Sequence, residues 1–204
     1  MIEVISKCNR QMCTSSLISF FELRYRVFSQ RLGWPARNNG LPIGIEVDEF
    51  DRADTVYMVV RDIKGNVIAG LRLLETTGQY LLGSHFSSFV DGPSPCDSKV
   101  VEVSRLVLDP CRDRQVSGSG VVSQLAWALQ NYGLALGLSH YVSLSYLGME
   151  RILRASGCCF ERLGDPREID GRLSVALKLD ISGRIRDLCG ARIANSRDLD
   201  FIGS

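Results

Sequence analysis

Four charged side chains stand where this sequence otherwise looks apolar and inward. Arg24 falls on the helical stripe Leu17, Phe21, Arg24, Phe28. Arg72 shares a strand face with Ile68, Gly70 and Leu74. Glu102 and Arg105 interrupt a run of Val and Leu over residues 100–108. An acidic segment, Glu46, Asp48, Glu49, Asp51 and Asp54, lies between Arg24 and Arg72. Burying a guanidinium without a partner is costly, so each needs a carboxylate or a ligand. An internal ion pair and a binding site explain Arg24 equally well at this point. Taken together, such a set suits charge recognition of a zwitterionic or anionic substrate, with a carboxylate moving the proton.

Other chemistry finds little support. The two histidines, His85 and His140, belong to no His-Glu-x-x-His helix. There is no Gly-x-Ser-x-Gly elbow and no Gly-Lys-Ser/Thr phosphate loop. Nucleophilic hydrolysis and metal catalysis are therefore not indicated. Gly118, Ser119 and Gly120 follow the strongest strand signal and open a helix. Their backbone amides suit a phosphate or pyrophosphate, and a plain helix-capping turn accounts for the same residues.

The elements that must position these groups can be traced from periodicity and turn residues. Strands are expected at 2–5, 55–62, 67–74, 100–108, 140–144, 158–163 and 174–180. Helices are expected after Thr14-Ser15-Ser16 and at 119–136, 148–156 and 182–194, the third stopped by Gly157. Residues 33–54 read as a long loop, which favours a functional role. Strands that dominate the first half and then alternate with helices predict an α/β fold, a three-layer α-β-α sandwich around a mixed sheet. No repeat or linker divides the chain, so residues 1–204 are read as one domain.

Composition narrows the class further. Lys and Arg number 24 and Asp and Glu 23, a net charge of +1, which argues against nucleic acid as a partner. No apolar run is long enough to span a bilayer, so no membrane partner is expected. The segment Met1 to Lys7 lacks the order of a secretion signal, and a cytoplasmic location is expected. Seven cysteines without metal-type spacing read as reduced thiols, and no metal is expected.

In order along the chain, Arg24, Phe28, Arg31-Leu32-Gly33-Trp34, Glu46-Val47-Asp48-Glu49-Phe50-Asp51, Arg72, Phe86 and Glu102-Val103-Ser104-Arg105 closely resemble the acyl-homoserine-lactone (autoinducer) synthase family of bacterial quorum sensing. The match spans residues 24 to about 110. The resemblance implies a splayed sheet like that of the N-acetyltransferases, and phosphopantetheine bound near Gly118, Ser119 and Gly120. It implies S-adenosylmethionine as a substrate, so no cofactor is needed. Acyl carrier protein or acyl-CoA would be the acyl donor. The amine of S-adenosylmethionine would attack the thioester, and its carboxylate would then close a lactone and expel methylthioadenosine. Glu102 would be the base, acting directly or through water, and Asp48 and Arg105 would complete the catalytic group. Arg24, Phe28, Trp34, Asp48, Asp51, Arg72, Phe86 and Arg105 would bind S-adenosylmethionine, the acids holding its cationic end or orienting the arginines. Ser143 stands where some members carry a Thr associated with 3-oxo chains. Leu125, Trp127, Leu144 and Tyr146 are candidates for the acyl tunnel, and Arg151 and Arg154 for carrier docking.

The strand period raises one conflict. In an unbroken strand Glu102 and Arg105 point to opposite faces. A bulge or splay near residues 103–105 is therefore predicted. Two rivals remain at this stage: a general acyl-CoA N-acyltransferase that makes no lactone, and a non-catalytic acyl-ligand-binding protein.

Overall fold

The strongest strand signal, Val100–Leu108, becomes the centre of the molecule. The computed structural model describes residues 1–34, 44–109 and 118–195, and among these eight strands form one sheet. They are β1 (Ile2–Ile5), β2 (Val56–Arg61), β3 (Val67–Glu75), β4 (Val100–Leu108), β5 (His140–Tyr146), β6 (Phe160–Arg162), β7 (Arg167–Ile169) and β8 (Arg172–Asp180). Their order is β1-β2-β3-β4-β5-β8-β6, with β7 also on β8. Only β4 and β5 run parallel among these pairs.

Helices cover both faces, as the α-β-α expectation requires. The helices are α1 (Thr14–Arg24), α2 (Leu81–His85), α3 (Gly118–Leu136), α4 (Met149–Ala155) and α5 (Gly183–Asn195). Phe20 and Leu23 of α1 pack with Tyr57, Val59 and Val107 on one face. Val121, Leu125 and Leu129 of α3 pack with Met58, Leu71, Val103 and Val175 on the other. The helix α1 sits close to β3 because Gly70 leaves room: a Cβ there would lie 2.6 Å from a Phe20 ring carbon and 2.9 Å from the Met58 carbonyl oxygen. None of the described helices is long and apolar enough to cross a membrane.

Three local features depart from simple periodicity. The first helix does not run on as one α-helix to Phe28. It widens into π-helical turns over Tyr25–Arg31, closed by Leu32 N–H on the Val27 carbonyl. Such widenings recur at functional sites because they re-aim side chains. The short helix α2 and the strand β7 were not anticipated, being too short for a periodic signal. The third feature is the predicted irregularity in β4. Gly70 pairs with Val107 but Arg72 pairs with Ser104, so β4 carries one extra residue. Arg105 takes the left-handed backbone at φ +54°, unusual for a residue with a side chain.

The same region is where the sheet splits. β4 and β5 pair only at Val100–His140, Val101–Tyr141 and Glu102–Val142. Beyond Glu102 each continues with a different neighbour, and a gap opens between them. Parallel strands bind ligands at such places because the gap exposes backbone and side chains of both.

Candidate active site

The bulge resolves the strand conflict. Before it, Val101 and Val103 pack in the core beneath α3, while Ser104 reaches Arg72 on the α1 face. The extra residue then reverses the alternation, so Arg105 also reaches acids on that face. Glu102 and Arg105 thus share a side of the sheet.

There the three arginines and three acids form one buried ion network. Arg24 spans Asp51 with both terminal nitrogens, at 2.7 and 2.8 Å, and its Nε donates to Glu46. Arg72 donates to Asp48 through Nη1, approaches Asp51 Oδ1 at 3.1 Å, and reaches Ser104 Oγ at 3.1 Å through Nε. Arg105 donates to Glu46 at 3.2 Å and Asp48 at 2.6 Å. Tyr57 O–H and the Asp48 amide donate to Asp51, and the Phe50 amide donates to Asp48. Arg24 and Arg72 are fully buried. Three positive and three negative charges offset one another, which is what makes such burial tolerable. Burial works against the charge of Arg24, but Asp51 and Glu46 outweigh it and raise its pKa. Burial also opposes ionisation of Asp51, yet Arg24 and then Arg72 hold its carboxyl well below the usual range. Burial pulls Arg105 down, with Glu46 and Asp48 opposing. Arg72 Nη2 is buried and finds no hydrogen-bond partner among the described residues.

Glu102 behaves differently. Its carboxylate accepts from the amides of Leu81 at 2.7 Å and Leu82 at 3.3 Å, the first turn of α2. Burial pushes it up to about 7, against the pull of Arg72, those amides and Arg105. It is thus close to half-ionised near neutral pH, the range in which a general base is most effective.

A cavity of about 650 Å³ threads the gap between β4 and β5. On the α1 side it is lined by Phe28, Trp34, Glu46, His85, Phe86, Arg105 and Tyr146. Phe28 and Trp34 stack at 4.8 Å and 10°, and the Arg105 guanidinium lies 5.3 and 5.9 Å from their centres. Tyr146 meets Trp34 edge-on at 6.2 Å across the gap. On the α3 side the lining becomes apolar, with Val103, Val122, Leu125, Leu129 and Leu153, and with hydroxyls from Ser143 and Ser145. One opening therefore joins a charged, aromatic compartment to an apolar one through the sheet.

This arrangement sorts the anticipated site residues. Phe28, Trp34, Phe86, Arg105 and Ser143 line the cavity. Arg24, Asp48, Asp51 and Arg72 lie behind the lining and connect through Glu46 and Arg105. Glu102 also lies behind it, next to Leu81. Leu125 lines the cavity on the α3 side and Leu144 and Tyr146 line it on the opposite face, but Trp127 is not in the lining: it points outward and packs by Gly190 of α5. Helical phase explains the correction, since Trp127 is two residues from Leu125 and so on another face of α3. Gly118, Ser119 and Gly120 form the first turn of α3. The rest of the anticipated turn, 112–117, falls outside the described residues.

A sequence model of the autoinducer synthase family matches residues 9–187. The chain belongs to this family. The acyl-homoserine-lactone synthase of Acinetobacter nosocomialis is 36% identical over 168 residues, covering 79% of this chain and 90% of its own. BjaI, described as a CoA-dependent acyl-homoserine lactone synthase and solved with SAM and isopentyl-CoA, superposes with a TM-score of 0.85 at 26% identity, over 95% of this chain and 89% of that one. An acyl-CoA N-acyltransferase from Pseudomonas aeruginosa shares the fold, with a TM-score of 0.60 at 18% identity, over 87% and 97% of the two chains. The N-acetyltransferase-like layout expected for an autoinducer synthase is therefore present.

Three residues join the site that were given no role beforehand. Glu46 is the hinge of the network, binding Arg24 with one oxygen and Arg105 with the other. Its spacing of two and five from Asp48 and Asp51 was the available signal. Ser104 orients Arg72. His85 lines the cavity beside Phe50 and Phe86 and meets Glu49 at 2.9 Å. Nothing in the local sequence pointed to that pairing, because 36 residues separate the two.

Proposed function

We propose that this protein is an acyl-homoserine-lactone synthase that joins an acyl thioester to S-adenosylmethionine. The observation that carries the reading is the single cavity through the split sheet, charged and aromatic on one side and apolar on the other. A cationic, zwitterionic metabolite suits the first compartment and an acyl chain the second. The reacting atoms then meet at the gap between β4 and β5. Membership of the autoinducer synthase family supports the same pairing.

The steps assign work to particular residues. Trp34 and Phe28 offer π-faces to the adenine and the sulfonium. Arg105, which borders the cavity, pairs with the methionine carboxylate. Arg24, Arg72, Asp48 and Asp51 are positioning residues that hold Arg105 through their shared network. Glu102 takes a proton from the α-ammonium through an intervening water, since its oxygens lie behind Leu81. The freed amine attacks the thioester carbonyl, a C–N bond forms, and the thiol leaves with the amine's second proton. The methionine carboxylate then attacks its own γ-carbon. The bond from that carbon to sulfur breaks, and neutral methylthioadenosine departs with the electron pair. Gly118, Ser119 and Gly120 are proposed to receive the phosphopantetheine arm at the start of α3, and Ser143 to face the acyl chain. Either acyl carrier protein or coenzyme A can present that arm, because both carry the same chemistry. Both substrates are cytosolic metabolites, and we place the reaction in the cytoplasm.

Purified protein incubated with S-adenosylmethionine and an acyl thioester tests this directly. Mass spectrometry should find one N-acyl-homoserine lactone for each methylthioadenosine released. An acylated amine without lactone would instead indicate a general N-acyltransferase, and no product from carrier-protein or CoA thioesters would overturn the assignment.

A further inference from the structure

A thiol, that of Cys158, stands among the residues lining the cavity. The cavity lining includes Tyr146, where β5 pairs with Ser174 of β8. The lining also includes Leu179, which pairs with Tyr141, five residues back along β5 and roughly 16 Å away at strand spacing. Cys158 lines the cavity and precedes β6, whose Phe160 pairs with that same Leu179. Its amide donates to the Leu153 carbonyl at 3.0 Å, which ties this turn to the end of α4. Behind Cys158 stands a small packed cluster of Ala126, Ile185 and Cys189, the last fully buried. The turn cannot swing back into that cluster. At Gly157, held at φ +91°, even a Cβ would lie 3.2 Å from the Cys189 backbone nitrogen and 3.4 Å from its sulfur. The side chain at position 158 thus stands between the cavity and that cluster.

We propose that the Cys158 side chain is the end wall of the acyl chamber and sets the longest chain the enzyme accepts. This rests on the acyl-transfer reading for its biological meaning, but the wall itself can be measured separately. Each methylene buried in an apolar pocket is worth about fourfold in preference (~0.8 kcal/mol). Cys158→Ala should shift product preference by about fourfold toward thioesters one or two carbons longer, and Cys158→Leu should shift it toward shorter ones. An equimolar mixture of thioesters, with the lactones resolved by mass spectrometry, reads both shifts at once. Unchanged length profiles in both variants would overturn the proposal.

A second measurement uses the unaltered chain. Alkyl methanethiosulfonates of increasing length are added, and the modified cysteines are mapped by peptide mass. The attacking sulfur forms a disulfide with the alkylthio group, and methanesulfinate leaves. Labelling of Cys158 should rise with alkyl length until the chamber is full, while labelling of exposed Cys159 should not. Length-independent labelling of Cys158 would overturn the end wall. Length-dependent labelling from a protein that forms no lactone would uphold the wall and overturn the synthase reading instead.

Discussion

Glu102→Gln keeps the size of a buried side chain and removes its titration. In the native chain burial raises this carboxyl from 4.5 to about 7, against Arg72, the Leu81 and Leu82 amides and Arg105. A folded-state pKa above the unfolded one means that the folded chain holds this proton to higher pH. The associated stability is complete below about pH 4.5 and is lost as pH rises through about 7. At ~1.4 kcal/mol per tenfold, the native protein should lose about 2 kcal/mol from this group between about pH 5.5 and 8. Glu102→Gln should lack that slope. The same group acting as base is ionised about one-tenth at pH 6 and about nine-tenths at pH 8, so saturated turnover should rise roughly tenfold over that interval. In Glu102→Gln this limb should vanish and the rate should fall by about 10²–10⁴. Urea titrations at several pH values read the stability, and methylthioadenosine release reads the rate. A variant that keeps the native rate and the native limb refutes the base assignment. A flattened stability slope with an intact rate limb would show that Glu102 anchors α2 and does no proton transfer.

Arg24→Ala should cost about 3–5 kcal/mol in urea or thermal unfolding, because Glu46 and Asp51 would remain buried without their main partner. Gly70→Ala should destabilise by ~1–3 kcal/mol in the same assay, since the added carbon meets the Phe20 ring and the Met58 carbonyl. Trp34→Ala should raise KM for S-adenosylmethionine by about tenfold or more, and Trp34→Phe should recover part of the loss, because a smaller aromatic face still stacks on Phe28. Native stability should also fall in acid: Asp51 is held below its ordinary pKa, so its contribution is present above about pH 4 and disappears as pH drops through the folded value.

Much of the molecule was legible from residue order alone. Val100–Leu108 reads as a strand because β-branched residues fill it, and α3 reads as a helix because its apolar residues recur at helical spacing. These are local signals, and they give a mixed sheet without the order of its strands. The bulge was legible for another reason. Glu102 and Arg105 both needed one cleft, and the strand period forbade it without an extra residue. Charge balance pointed to the pairing of arginines with acids, but not to which nitrogen meets which oxygen.

What only the tertiary structure decided depends on contacts between distant segments. Sequence types could not tell that Arg105 faces the cavity while Arg24 and Arg72 support it from behind. They could not give Glu46 its place between two guanidiniums, nor tie Glu102 to the amides of α2. The widening of the first helix at Tyr25–Arg31 and the parting of β4 from β5 likewise have no local code. Each is settled by how packed layers and buried charges satisfy one another across the whole fold, where the energy of a residue depends on neighbours that the order of the chain does not name.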